Sequence, residues 1–371
     1  MPALQQNPAP TASAFARIGL LAYTLLIVYA SWYPFTGWQN IGLSATAYLW
    51  VPLPHYWTIF DLATNVAGYI PFGILMVFAL YPRVRRGRAV ALTIACGVLL
   101  TGSMEAVQTF LPTRVASNLD LLTNAVGVVI GAVAGVLLSR TFLEQSRFLV
   151  LRRQWLSPDA GRALIVVALW PLAQLYPQGY LFGHGQITPI LSDWLSAWLA
   201  MPLDLGATLR HDAELSIGQY WLSETIITTC GLTGAMLTLL CVLRDSAPKV
   251  LLMLGLLIAA VALKALASAL LFAPENAFAW MTPGAEGGLL LGAIMLTGLV
   301  FAPQRAQRLV AALMLMIGLA AVNAAPSNPY FIATLQTWVQ GKFLNFNGAA
   351  QFLSLLWPFA ALWLVAAPAR S

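Results

Sequence analysis

Charge is what this sequence has least of. Only 9% of its 371 residues are Asp, Glu, Lys or Arg, against roughly a quarter in an ordinary soluble domain, while 60% are hydrophobic. So much apolar surface cannot be hidden in one water-soluble core, which excludes a secreted, a disordered and an ordinary cytosolic protein. Cysteine is scarce as well. Cys96, Cys230 and Cys241 all lie in apolar runs, so neither a disulfide framework nor a CxxC zinc site can be built, and no metal or cofactor is expected. The only histidines, His55, His184 and His211, fall between the apolar runs, which argues against a His-based phosphatase or a Ser/His intramembrane protease. HExxH, GxSxG and Walker sequences are missing. The net charge of +6 could suggest nucleic acid, but in a membrane chain Lys and Arg mark cytoplasmic loops, so no nucleic-acid partner is expected.

What is present is a series of apolar runs, each close to the ~20 residues that cross a bilayer. They predict an all-α, polytopic transmembrane helix bundle with spans near 16–33, 59–81, 89–111, 119–138, 163–177, 217–243, 249–272, 285–302, 308–325 and 350–367. Spans 163–177 and 285–302 are the weakest, being short or carrying Glu286 at one end. A signal peptide cut after Ala30 is the rival reading of the first run. Between the fifth and sixth spans, Ile187, Ile190, Leu191, Trp194, Leu195, Trp198 and Leu199 form one helical stripe, with Asp193 and Ser196 opposite. That pattern fits a helix lying in the membrane interface or a lid packed on the bundle.

Lys and Arg sort by alternate loops. Arg17, Arg83, Arg85, Arg86, Arg88, Arg140, Arg147, Arg152, Arg153, Arg162, Arg244, Lys249, Arg305, Arg308 and Arg370 share one side. Only Arg114, Arg210 and Lys342 fall on the other. Both termini are therefore expected in the cytoplasm.

Asp61-Leu-Ala-Thr-Asn65-Val-Ala-Gly68 recurs as Asp120-Leu-Leu-Thr-Asn124-Ala-Val-Gly127. In a helix, positions i, i+3, i+4 and i+7 share a face, so each copy lines up Asp, Thr, Asn and Gly. The Asp of each copy could also simply cap its helix. A fainter repeat pairs Tyr33-Pro34 with Tyr176-Pro177 and Asp61 with Glu224, and matches the Glu105/Thr123 spacing to Lys264/Thr282. It predicts two parallel four-span units with Glu224 facing Lys264 as an ion pair. The expected domains are a disordered tail at 1–15, a first unit at 16–140, a degenerate repeat at 163–303 and a two-span extension at 304–371. Gly127, Gly131 and Gly135 should allow close helix packing, which also permits a helix–helix oligomer, and Pro71 should kink its span.

Rise per residue places Asp61 and Asp120 within about 3 Å of one boundary, and Asn65, Asn124 and Glu105 roughly 7–9 Å inside it. Gln108 shares a face with Glu105, and Arg114 lies in the adjoining loop. Ionisable groups in spans are costly, so Asp61, Asn65, Glu105, Gln108, Arg114, Asp120 and Asn124 form the candidate ligand-binding set. A helix-packing network in which these groups satisfy one another is the competing reading.

Asp61…Asn65…Gly68-Tyr-Ile-Pro-Phe-Gly73, Glu105-x-x-Gln108-x-x-Leu-Pro-x-Arg114 and Asp120-x-x-x-Asn124-x-x-Gly127 together resemble the VanZ-like membrane family over roughly residues 20–140. Phe346-Asn347-Gly348 with Leu355-Leu-Trp-Pro358 resembles an extended, double-length bacterial branch. The family takes its name from a protein associated with low-level teicoplanin resistance. The resemblance implies a bacterial inner-membrane location and motif positions but no reaction. Three functions remain open on the sequence. The first is a non-enzymatic envelope protein binding a membrane lipid head group, cell-wall precursor or glycopeptide, with Arg114 on a phosphate or carboxylate. The second is a membrane enzyme whose carboxylates hold Mg²⁺ or share a proton. The third is a transporter or flippase.

Overall fold

A computed structural model describes residues 14–33, 35–40, 42–54, 56–139, 154–157, 160–211, 213, 215–326, 328, 331–333 and 344–367. Residues 1–13, Pro34, His55, the Arg140–Arg153 segment, Lys342, Arg370 and the side chains of Phe346 and Asn347 lie outside the described residues, as do the side chains of Ala14, Phe15 and Arg162. All ten expected spans coincide with helices. Six of these helices are long and apolar enough to cross a membrane, and four are shorter apolar helices. The chain is a multi-pass, all-helical membrane protein. It divides into two compact units, residues 1–152 and 153–371. The second takes in both the expected repeat and the expected C-terminal extension.

In the first unit, α1 spans Ala14–Trp32, α2 Ile59–Leu80, α3 Arg86–Gln108 and α4 Asn118–Ser139. Helix α2 starts where Thr58 accepts from Asp61 N (3.1 Å) and Asp61 Oδ2 accepts from Thr58 N (3.0 Å), a reciprocal cap for two orphan donors. It runs unbroken across Pro71, so the ring removes a ladder donor without ending the helix. Helices α2 and α4 pack in parallel, and glycine is the reason they come so close. A Cβ on Gly127 would lie 2.3 Å from Val66 O, one on Gly131 2.2 Å from Ile70 O, and one on Gly135 2.9 Å from Val77 Cβ. Outward-facing side chains are apolar and bare, Leu21, Leu99 and Leu137 among them, as a surface meant for lipid should be.

In the second unit, α5 spans Ala160–Ala173, α6 Thr188–Leu199, α7 Leu205–Leu209, α8 Ile217–Leu240, α9 Lys249–Phe272, α10 Pro283–Leu299, α11 Gln304–Ala324 and α12 Leu344–Ala366. Helix α8 is the buried hub; its residues from Ile227 to Leu240 are almost all enclosed. It meets α10 through a second glycine ladder, with a Cβ on Gly284 or Gly288 falling 2.5 Å from Glu224 Cβ or Thr228 Cβ. After the short α5, the chain does not continue as helix but turns inward. Tyr180, Leu181, Phe182 and His184 are buried against α8, α11 and α12. Helix α6 matches the expected stripe at 187–199 within one residue. Its Ile190, Leu191, Trp194 and Trp198 are exposed, so this stripe is not packed as a lid within the described unit.

Candidate functional site

Helices α2, α3 and α4 bring polar side chains to one layer inside the first unit. Asn65 Nδ2 donates to Asp120 Oδ1 at 2.7 Å, joining the first copy of the repeated motif to the second. Asn124, one turn further along α4, donates to Thr101 Oγ1 on α3 at 2.9 Å. Glu105, one turn beyond Thr101, is buried, and its Oε2 accepts from Ser117 N at 2.8 Å, just ahead of α4. That position favours a carboxylate, because the first amides of a helix lack partners and carry partial positive charge. Glu105 and Asp120 lie within electrostatic reach of one another. Among the described residues neither forms an ion pair.

Two polar atoms of this layer form no well-aligned hydrogen bond among the described residues: Asn124 Oδ1 and the Tyr69 hydroxyl, which faces Thr101. Both belong to buried side chains. An orphan buried polar atom costs about 1–3 kcal/mol, less where a neighbouring hydroxyl such as that of Thr101 offers a partial partner. The loop between α1 and α2 covers the layer. Tyr48 tucks under it and donates to Gly102 O at 3.1 Å, while Asn118 Nδ2 holds Val51 O at 2.6 Å. Burial, and then the nearby Glu105, push the Tyr48 phenol above its ordinary pKa.

The remaining candidates sit differently. Asp61 is exposed and engaged in the α2 cap, close enough to be felt by Asp120 but outside the layer. Gln108 Nε2 donates to Ser31 O at 3.2 Å and Arg114 to Tyr33 O at 2.6 Å, so both tie the end of α3 to the end of α1. Burial lowers the Arg114 pKa from its ordinary value. The residues that sequence reasoning passed over are Tyr48, Tyr69, Thr101 and Ser117. Two of them carry a signal. Tyr69 follows Asn65, and Thr101 precedes Glu105, by the four residues that return a helix to the same face.

In the second unit the expected Glu224–Lys264 ion pair is not formed. Glu224 instead accepts from Thr282 Oγ1 at 2.7 Å and from Asn328 Nδ2, at the N-terminus of α10. Helix α10 begins there because Thr282 also caps Ala285 N and Pro283 occupies the first turn. The helix start supplies what the lysine was expected to supply. His184 lies between helices as expected but is buried, its two ring nitrogens each 2.6 Å from an amide nitrogen, of Gln174 and Gln178, and its ring 5.7 Å from that of Trp357.

No curated protein and no solved structure matches the chain. A family model described as VanZ/LLP1 matches residues 20–139, the stretch that contains α2, α3, α4 and all seven candidate residues. Over residues 20–139 the chain is therefore similar to that family.

Proposed function

We propose that this VanZ-like membrane protein binds the polar head group of a membrane lipid or cell-wall precursor through the buried layer of its VanZ-like domain. The observation that carries the reading is the mismatch inside that layer. Two carboxylates stand there without a cation, beside an amide oxygen and a phenol that lack well-aligned partners. Acceptors outnumber donors, so the fitting ligand donates hydrogen bonds through hydroxyl or ammonium groups, as sugar and amine head groups do. Arg114 would not be the anchor for a phosphate, since it is turned to the carbonyl of Tyr33. The Lys and Arg asymmetry supports a reading in which the layer lies near the outer face of a bacterial inner membrane, where lipid-linked envelope intermediates are exposed.

The reading is tested by native mass spectrometry of the purified full chain. The wild type should retain a head-group-bearing molecule that Asp120→Asn releases, because the substitution removes the negative charge while keeping an acceptor for Asn65. Retention of the same molecules by both proteins would overturn it.

A further inference from the structure

The second unit contains a buried lysine that has no contact ion pair among the described residues. Lys264, on α9, is 3% exposed, and among the described residues its Nζ makes neither a hydrogen bond nor an ion pair. It lines a cavity of about 30 Å³ together with Gln178, Glu224, Ser268 and Asn328. All of these side chains are buried. Glu224 shares the cavity but is already served by Thr282 and Asn328. Gln178 Oε1 is buried with no partner, although its Nε2 is engaged by Ser354 and by the neighbourhood of His184.

The backbone around this cavity is as unusual as its charge. The chain leaves α5 at Ala173 and reaches α6 only at Thr188, and much of the segment between is enclosed by helices. Non-helical backbone inside a membrane bundle persists where it is covered by protein or lines a polar cavity, and broken helices are a recurrent way to build a ligand site there. Gln178 comes from that segment and Lys264 from the facing helix.

We propose that this cavity is a second binding site, for a carboxylate or phosphate oxyanion. Lys264 supplies the counter-charge, and Gln178 Oε1 accepts from a hydroxyl or ammonium group beside the anion. The volume admits one such group, with the rest of the ligand outside. Glu224 shares the cavity without contacting Lys264, so the lysine lacks a direct hydrogen-bonded partner, and an entering oxyanion supplies one. The site is independent of the VanZ-like domain and of the function proposed for it.

The test uses the full-length protein in nanodiscs. In phosphatidylcholine discs, acetate and inorganic phosphate are titrated while thermal stability and binding heat are followed. In discs containing phosphatidylglycerol, the same measurements are made with no added anion. We expect stabilisation in at least one arm. The first arm assigns a free anion and the second a lipid phosphate. Lys264→Met should weaken binding by about tenfold or more, the usual loss of a charge-assisted contact, while Lys264→Arg should retain most of it. No stabilisation in either arm, or equal binding by Lys264→Met, would overturn the proposal. If Lys264→Met does not fold, wild-type protein is treated with a small amine-acetylating reagent. The stabilising anion should then protect Lys264 in the peptide map, and unchanged labelling would count against the site.

Discussion

Glu105 and Asp61 show how two carboxylates near helix ends come to do different work. Each accepts a backbone N–H, Glu105 from Ser117 and Asp61 from Thr58, yet Asp61 is exposed and Glu105 is enclosed. Asp61→Ala should therefore cost about 0.5–2 kcal/mol, the usual worth of a cap, with ligand retention unchanged. Glu105→Ala leaves the Ser117 N–H buried and unpaired, and should cost about 1–3 kcal/mol. Glu105→Gln still offers an oxygen to that N–H and should keep most of the stability while weakening the ligand. Denaturant titration in detergent followed by circular dichroism separates the three. The meeting of Asn65, Asp120, Glu105 and Asn124 was legible in the sequence, because helix period and span direction fix depth and face. Arg114 was not. Charge complementarity favoured a carboxylate or phosphate partner, but a loop arginine also finds carbonyls, and the end of α1 lay beside it.

At the scale of elements, the repeated D-L-x-T-N-x-x-G motif is two adjacent parallel helices whose symmetry is broken. The Asn of the first copy reaches the Asp of the second, whereas the Asn of the second turns to Thr101. The sequence displayed the likeness, but which partner each amide takes depends on α3, which carries no third copy. Glycines make the approach possible, and they differ in how much they matter. Gly131→Ala drives a methyl into Ile70 O and should destabilise by at least about 1–3 kcal/mol. Gly68→Ala meets nothing within 4 Å and should be neutral or gain up to about 1 kcal/mol from helix propensity. Thermal unfolding should come at a lower temperature for Gly131→Ala and at the same or a higher temperature for Gly68→Ala. The second unit uses the same device, with Gly284 and Gly288 of α10 against α8.

For the whole molecule, apolar length gave the helices, and the separation of Lys and Arg gives an orientation that is open to direct measurement. Single cysteines placed in a background without Cys96, Cys230 and Cys241 should react with a membrane-impermeant maleimide at position 113. At position 84 they should react only after the cells are opened. The reverse pattern would invert the protein and place the polar layer on the cytoplasmic side. The inward course of residues 174–186 was not legible, because its Pro, Gly and Gln read as an ordinary loop and only packing shows where that loop goes. The fused second unit escaped for the same reason: α12 belongs with α5, far away in sequence, through contacts such as Trp357 Nε1 to Val166 O at 2.8 Å.

The account rests on the layer of α2, α3 and α4 being built for a ligand rather than for packing, and Tyr69→Phe separates these most directly. Removing a buried hydroxyl that has only a poorly aligned partner in Thr101 should leave the melting temperature of the ligand-free protein nearly unchanged or raise it, while the retained head-group molecule declines. A Tyr69→Phe protein that holds its ligand as tightly as the wild type would contradict the account.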